Sequence, residues 1–203
     1  PYIDVEDENL TTMGVGVLED FTWKDLLDAE ACIRCGRCED VCPAFNTDKA
    51  LSPKDLIQSM RSELEVRGPI VWKAKHDGAK RDDMGAYVTA EGEPYPFSDQ
   101  QQVTLDRALV GDAFNSQALW DCTTCGACMA ACPTLVEHAP KIVKMRTYQV
   151  SMESAFPPEA QATFRNLENN GNPWGLGWQT RSKWAEELDV PTLAENPDAE
   201  YLY

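Results

Sequence analysis

With 203 residues, 26% of them charged, and a formal net charge of -16, the chain is long enough for one domain, or one domain and an arm, around a modest core. That charge excludes nucleic-acid binding, which depends on Lys and Arg displacing condensed counterions from phosphates. No uninterrupted apolar stretch approaches the roughly 20 residues that cross a bilayer, so no transmembrane span is expected.

Acid is concentrated at the start, where residues 1–30 carry nine acidic side chains against Lys24 alone. Residues 54–81 run the other way, with seven Lys or Arg against four acids, a composition that suits either a docking face for an acidic partner or a plain solvated surface. Pro1 is not an initiator residue and no signal peptide opens the chain, so a processed or trimmed N-terminus is expected.

Residues 1–20 read as an acidic lead-in. From Phe21 to Ala31 a short helix is predicted, with Phe21, Leu26, Leu27 and Ala31 on one face. Ser52-Pro53-Lys54-Asp55 supplies an N-cap, a proline at the first helical position and an acid in the first turn, which predicts a helix over 53–67 stopped by Gly68 and Pro69. Residues 68–100 hold seven Gly or Pro (Gly68, Pro69, Gly78, Gly85, Gly92, Pro94 and Pro96) and no sustained period, so a long irregular connection is expected there. Helical segments follow over 103–110 and from about Asn115 towards Trp120 and Asp121. Pro140 opens a helix with Ile142, Met145, Tyr148, Gln149 and Met152 on one face, ended before Pro157 and Pro158. Another helix is expected from Glu159 to Glu168, then a turn-rich stretch, a short helix over 182–188 and an extended ending. Little in this pattern asks for a sheet. A mainly α fold is therefore expected, with a helical domain over 21–156 and a C-terminal arm over 157–203.

All eight cysteines fall in two groups, Cys32-x-x-Cys35-x-x-Cys38-x-x-x-Cys42-Pro43 and Cys122-x-x-Cys125-x-x-Cys128-x-x-x-Cys132-Pro133. None lies elsewhere to staple distant segments, so the pattern points to metal and a reducing compartment, and the two groups form an internal duplication. Three thiolates spaced by two residues let one short loop wrap three corners of an iron-sulfur cube. The fourth cysteine follows a longer gap and is aimed elsewhere. In two-cluster ferredoxins this run is known to send its fourth cysteine to the other cluster. Two [4Fe-4S] clusters are thus expected, one on Cys32, Cys35, Cys38 and Cys132 and the other on Cys122, Cys125, Cys128 and Cys42. Local ligation by the four cysteines of each run is the rival arrangement. Gly36 and Gly126 are expected as supports, where a side chain would crowd the cluster and positive φ is required, and Pro43 and Pro133 as stiff loop exits. All-cysteine zinc sites separate their Cys-x-x-Cys pairs by longer spacers, and a redox dithiol needs one pair beside a βαβ pattern, which is absent.

Arg34 and Arg37 lie inside the first loop, while Thr123, Thr124, Ala127 and Met129 fill the second. Added negative charge is therefore better tolerated at the first cluster, with Glu30, Glu39 and Asp40 opposing. In a potentiometric EPR titration the Arg34→Gln/Arg37→Gln variant is expected to show a lowered potential for one cluster. His138, six residues after Cys132, reads as a capping or hydrogen-bonding residue, since eight thiolates already satisfy two clusters. Trp23 and Trp120, which precede the two groups, are either cluster shields or ordinary core. No Asp or Glu pair stands out as a general acid and base.

Phe21-Thr22-Trp23-Lys24, Cys35-Gly36-Arg37-Cys38, Leu51-Ser52-Pro53, Trp120 with Cys122-Thr123-Thr124-Cys125-Gly126-Ala127-Cys128, and Asn172-Pro173-Trp174-Gly175 together resemble the iron-sulfur part of the heterodisulfide-reductase-related proteins. That group includes the glycolate oxidase iron-sulfur subunit and membrane oxidoreductases linking electron-transfer flavoprotein to menaquinone. The resemblance implies an α-helical ferredoxin fold, a flavoprotein electron donor, a membrane haem or quinone site as acceptor, and a place on the cytoplasmic side of the cell membrane, peripheral or attached to a membrane domain. In longer relatives a haem-binding membrane domain precedes this segment and domains with a Cys-Cys-Gly signature follow it. The ending from Asn196 resembles the lead-in to the first of those, so the resemblance implies that the chain is the ordered fragment of something larger. A relay between flavoprotein and membrane site is the expected function. The alternative is the iron-sulfur part of a disulfide or quinone reductase whose active site lies in other domains.

Overall fold

The computed structural model describes residues 10–82, 85–188 and 190–198. Asp4, Glu6, Asp7, Glu8, Asp189 and the closing residues from Ala199 lie outside them. The chain divides into two compact units, Pro1–Ala155 and Phe156–Tyr203.

In the first unit, α1 (Trp23–Ala31) starts on a capping box in which Thr22 Oγ1 accepts from Asp25 N and the Asp25 carboxylate accepts from Thr22 N. Phe21 is buried and Leu26 packs against the core as expected, but the inward face is not wholly apolar. Asp25 and Asp28 are buried, whereas Leu27 is 54% exposed, because two lysines from a later helix reach these carboxylates. After α2 (Arg37–Asp40), Ser52 caps α3 (Pro53–His76) as expected. The expected stop at Gly68 and Pro69 is corrected: the helix continues through both to His76. Proline forfeits one i→i−4 bond, but Pro69 and Glu65, whose carbonyl loses its partner, both face solvent, while Arg67 just before the break and Val71 and Ala74 beyond it are buried. Packing of that inner face outweighs the local penalty.

The connection that follows is more ordered than expected. It contains a small antiparallel pair, β1 (Lys80–Arg81) and β2 (Tyr87–Val88), and its own apolar cluster of Val71, Ala74, Ala79 and Tyr87, with Tyr95 and Phe97 against it. A Ser98 cap starts α4 (Asp99–Leu105), four residues ahead of the expected position, since Ser98 and Gln101 close a capping box there. Asn115 caps α5 (Ser116–Asp121). Then come α6 (Ala127–Ala130) and α7 (His138–Ser151), the latter begun two residues before Pro140. The main core lies between the lead-in, α3, α5 and α7, with Phe21, Leu51, Met60, Leu119, Ile142 and Met145 buried in it. Val15 and Leu18 belong to it as well, so residues 15–20 are part of the packed domain and not merely a charged prelude.

The opposite charges of the two early segments meet each other. Arg67 pairs with Glu19 at 2.9 Å, Arg81 with Asp20 at 2.6 Å, Arg61 with Glu30 at 3.4 Å and Lys54 with Glu39 at 2.7 Å. Lys54, Arg61, Arg67 and Arg81 of the basic stretch thus pair with acids of this chain. In the second unit, α8 (Pro158–Asn170) ends at Gly171 in the left-handed region, φ 66°. A 3-10 segment, Trp178–Ala185, stands near the expected last helix, and turns follow where an extended ending was expected.

Candidate metal centre

Both cysteine groups begin where a helix stops. Cys32 ends α1 with φ -68° and ψ 114°, and Cys122 ends α5 with φ -70° and ψ 122°. The backbone then repeats itself: Arg34 and Thr124 are left-handed at φ 58° and 54°, Gly36 and Gly126 at 83° and 76°, and one short helix follows each glycine. Left-handed geometry costs a non-glycine residue roughly 1–2 kcal/mol, so Arg34 and Thr124, one in each loop, store strain that the surroundings must hold, while the glycines adopt it freely. No protein atom lies within 4 Å of a Cβ built at Gly126, and at Gly36 only Glu39 Oε2 does, at 3.7 Å. The demand for glycine therefore comes from the backbone angle and not from crowding by protein.

The two loops face each other across two cavities. One is lined by Cys32, Cys35, Cys38 and Cys132. The other is lined by Cys42, Cys122, Cys125 and Cys128. Each therefore collects three cysteines from one group and the fourth from the other. Among the described residues no three His, Cys, Asp or Glu side chains converge closely enough to hold a single metal ion; the sulfurs stand around a space instead. Donors are aimed at them, with Gln58 Nε2 3.3 Å from Cys32 Sγ, Thr124 N 3.3 Å from Cys122 Sγ and Val136 N 3.4 Å from Cys132 Sγ. Four thiolates around a small apolar space, with N–H groups turned to their sulfurs, suit an iron-sulfur cube.

Ties between distant segments bring the loops together. Asp28 on α1 binds Lys141 on α7, both buried, and also accepts from Glu137 N at 3.0 Å and Lys24 Nζ at 2.9 Å. Asp25 binds Lys144 and lies 3.5 Å from Lys141. This network locks the helix that delivers Cys32 to the helix that leaves Cys132. At the second loop, Arg146 donates to the carbonyls of Leu119 and Cys122, the latter at 2.7 Å, and stacks over Trp120 at 5.3 Å, so it closes the end of α5. Asp121 accepts from Ala50 N at 2.9 Å, and Ser52 Oγ donates to Glu39 at 2.7 Å. Ser52 and Trp120 stood out in the sequence, but none of these pairings did.

Gln58 Nε2 is a donor to Cys32, an expected cluster ligand, from outside both loops, and donors to ligand sulfur raise the potential by stabilising the more negative reduced state. The Gln58→Leu variant is expected to lower the potential of one cluster in an EPR-monitored redox titration and leave the other in place.

Burial, together with the Glu39 carboxylate, pushes the Cys38 thiol up to about 11. Burial and the neighbouring Cys122 do the same at Cys128, also to about 11. Cys125 moves down, held by the Ala127 amide and Thr123. At Cys132 burial pushes upward, but Thr134 and the Val136 amide outweigh it and the thiol is lowered. Only thiolates bind metal, so the cluster-free chain must give up protons from Cys38 and Cys128 on loading. Cluster retention against a chelator is accordingly expected to rise from about pH 7 to about pH 9, with the gain reduced in Cys128→Ser.

Of the other side chains singled out, Trp23 is 76% exposed, which leaves it outside any cluster shield, and Trp120 serves as the platform under Arg146. His76 stacks on Trp72 with ring centroids 5.0 Å apart. His138 is 2% exposed. Burial and the Lys141 ammonium push its imidazole in the cluster-free chain down to about 4, with the Val136 backbone and Asp28 pulling the other way.

The description of the 4Fe-4S dicluster domain matches residues 24–133, more than half of the chain. The chain belongs to this family. The dicluster domain carries two [4Fe-4S] clusters, in agreement with the eight cysteines and the two cavities that they line. Over 201 residues it is 45% identical to a protein of Syntrophomonas wolfei named EtfAB:quinone oxidoreductase, with 96% of this chain and 27% of that protein covered. It is 36% identical to the probable iron-sulfur-binding oxidoreductase FadF of Bacillus subtilis (99% and 30% covered) and 35% identical to a probable membrane-anchored ferredoxin of Chromohalobacter salexigens (98% and 28%). The chain spans less than a third of the length of these relatives. No solved structure matches it.

Proposed function

We propose that this dicluster domain passes electrons singly between a flavoprotein donor and a haem or quinone site in the membrane. The observation that carries this reading is the pair of cavities lined in crossed fashion by the two loops. In it, Cys32, Cys35, Cys38 and Cys132 hold one cluster and Cys122, Cys125, Cys128 and Cys42 the other. Each cluster, when bound, accepts and returns one electron. The chain's own part is placement. α1 and α5 deliver the first thiolate of each loop, α2 and α6 follow its glycine, and the Asp28–Lys141 pair keeps the two loops face to face.

Two relatives carry names that support the partners: one is called an EtfAB:quinone oxidoreductase, the other a membrane-anchored ferredoxin. Location at the cytoplasmic face of the cell membrane, peripheral or attached to a membrane domain, belongs to this proposal. Among the described residues no helix is long and apolar enough to cross a membrane.

Stopped-flow mixing of the cluster-loaded chain with a reduced electron-transfer flavoprotein tests the reading. Rapid bleaching of cluster absorbance, restored by a soluble quinone in the presence of the membrane partner, is expected. Bleaching no faster than with a small-molecule reductant of equal potential overturns it.

A further inference from the structure

The two cavities share one polar side chain. His138 lines both the space framed by Cys32, Cys35, Cys38 and Cys132 and the space framed by Cys42, Cys122, Cys125 and Cys128. It stands at the first position of α7, immediately after the segment that carries Cys132, and is 2% exposed. Its Nδ1 is buried without a hydrogen-bond partner, whereas buried ring nitrogens ordinarily find one. An orphaned polar atom on the wall between two metal cavities points to a partner that belongs to what fills them.

We infer that the His138 imidazole is the polar partition between the two clusters, with Nδ1–H donating a hydrogen bond to a sulfur of one of them. This rests on the crossed arrangement proposed above. The direction follows from charge: cluster sulfides and cysteine thiolates are electron-rich acceptors, so a lone pair on Nδ1 would be repelled, and the tautomer with hydrogen on Nδ1 is the one that fits. Such a bond strengthens as negative charge arrives, which makes the bonded cluster easier to reduce. Since one nitrogen serves one sulfur, the effect is unequal, and His138 contributes to a difference in potential between the two clusters. The ionisable groups of its own helix and of α1 that face His138 are already partnered. Lys141 is committed to Asp28 and to the Glu137 carbonyl, at 2.9 Å, and Asp28 is filled by Lys141, Lys24 and Glu137 N.

The chain has only two histidines, His76 and His138, which allows a direct test. The cluster-loaded His76→Gln chain is labelled with 15N-histidine, reduced and examined by pulsed EPR. A 15N coupling to a reduced cluster is expected there and is expected to vanish in His138→Leu. In redox titrations one cluster potential falls in His138→Leu and recovers in part in His138→Gln, which keeps a donor, while iron and sulfide content stays at the wild-type level. Absence of 15N coupling in the His76→Gln chain overturns the inference, and that outcome is readable even where His138→Leu fails to load. Equal potentials in His138→Leu and wild type overturn it as well. Failure of the crossed arrangement itself shows separately, in which cysteine substitutions alter the same spectrum.

Discussion

Replacing Asp28 by Ala is expected to cost the fold about 3 kcal/mol or more, the effect of removing one partner from a buried ion pair and leaving the other charge behind. Lys141 is 1% exposed, and after the change it retains only Asp25 at 3.5 Å and the Glu137 carbonyl. The consequence reaches the metal centre, because α1 ends on Cys32 and α7 follows Cys132. When these helices part, the cavity that needs both cysteines opens first. Denaturant unfolding of the loaded chain, followed by helix signal and cluster absorbance together, measures it. The expectation is an earlier midpoint, with one of two clusters lost ahead of the other. The Asp28→Ala/Lys141→Met chain should recover most of the loss, since an apolar pair of similar volume leaves no buried charge unmet. If the double variant is no more stable than Asp28→Ala, packing of α1 matters and the charge does not. Acid has a related effect. Burial pushes the Asp25 and Asp28 carboxyls up, yet Lys144 and Thr22 at the first, and Lys141 and Lys24 at the second, outweigh it and hold both below the usual range. Their contribution is complete above the unfolded value of about 3.9 and fades as pH falls through the lower folded values.

The second large effect concerns the fourth cysteine of each group. In the proposed crossed arrangement Cys132→Ser disturbs the same cluster as Cys35→Ser, although 97 residues separate the two positions, and Cys42→Ser disturbs the same cluster as Cys125→Ser. EPR of the reduced chain resolves two components by potential. Cys132→Ser and Cys35→Ser are expected to remove or shift one component, and Cys42→Ser and Cys125→Ser the other. Pairing of Cys132→Ser with Cys125→Ser would establish local ligation instead and end the crossed reading.

Much of the fold is legible along the chain wherever a local signal has one physical outcome. Ser52 before Pro53, Thr22 before Trp23 and Asn115 before Ser116 cap helices as their side chains dictate. The cysteine groups are legible for the same reason, since their spacing and the glycine after the second cysteine require one loop, and both copies adopt it. Misreadings arise where a distant partner reverses a local preference. Gly68 and Pro69 are helix breakers in isolation, but Val71 and Ala74 have a core to enter. Leu27 resembles a core residue, yet α1 turns Asp25 and Asp28 inward because Lys141 and Lys144 are there.

By itself the sequence determined the cofactor class, the helical character and the two loops, because ligand spacing and capping act over a few residues. Tertiary structure alone decided which acids are buried and that His138 lines both cavities. Those outcomes depend on pairings between segments about 100 residues apart, and the free energy of such a pairing appears only when both partners are brought together.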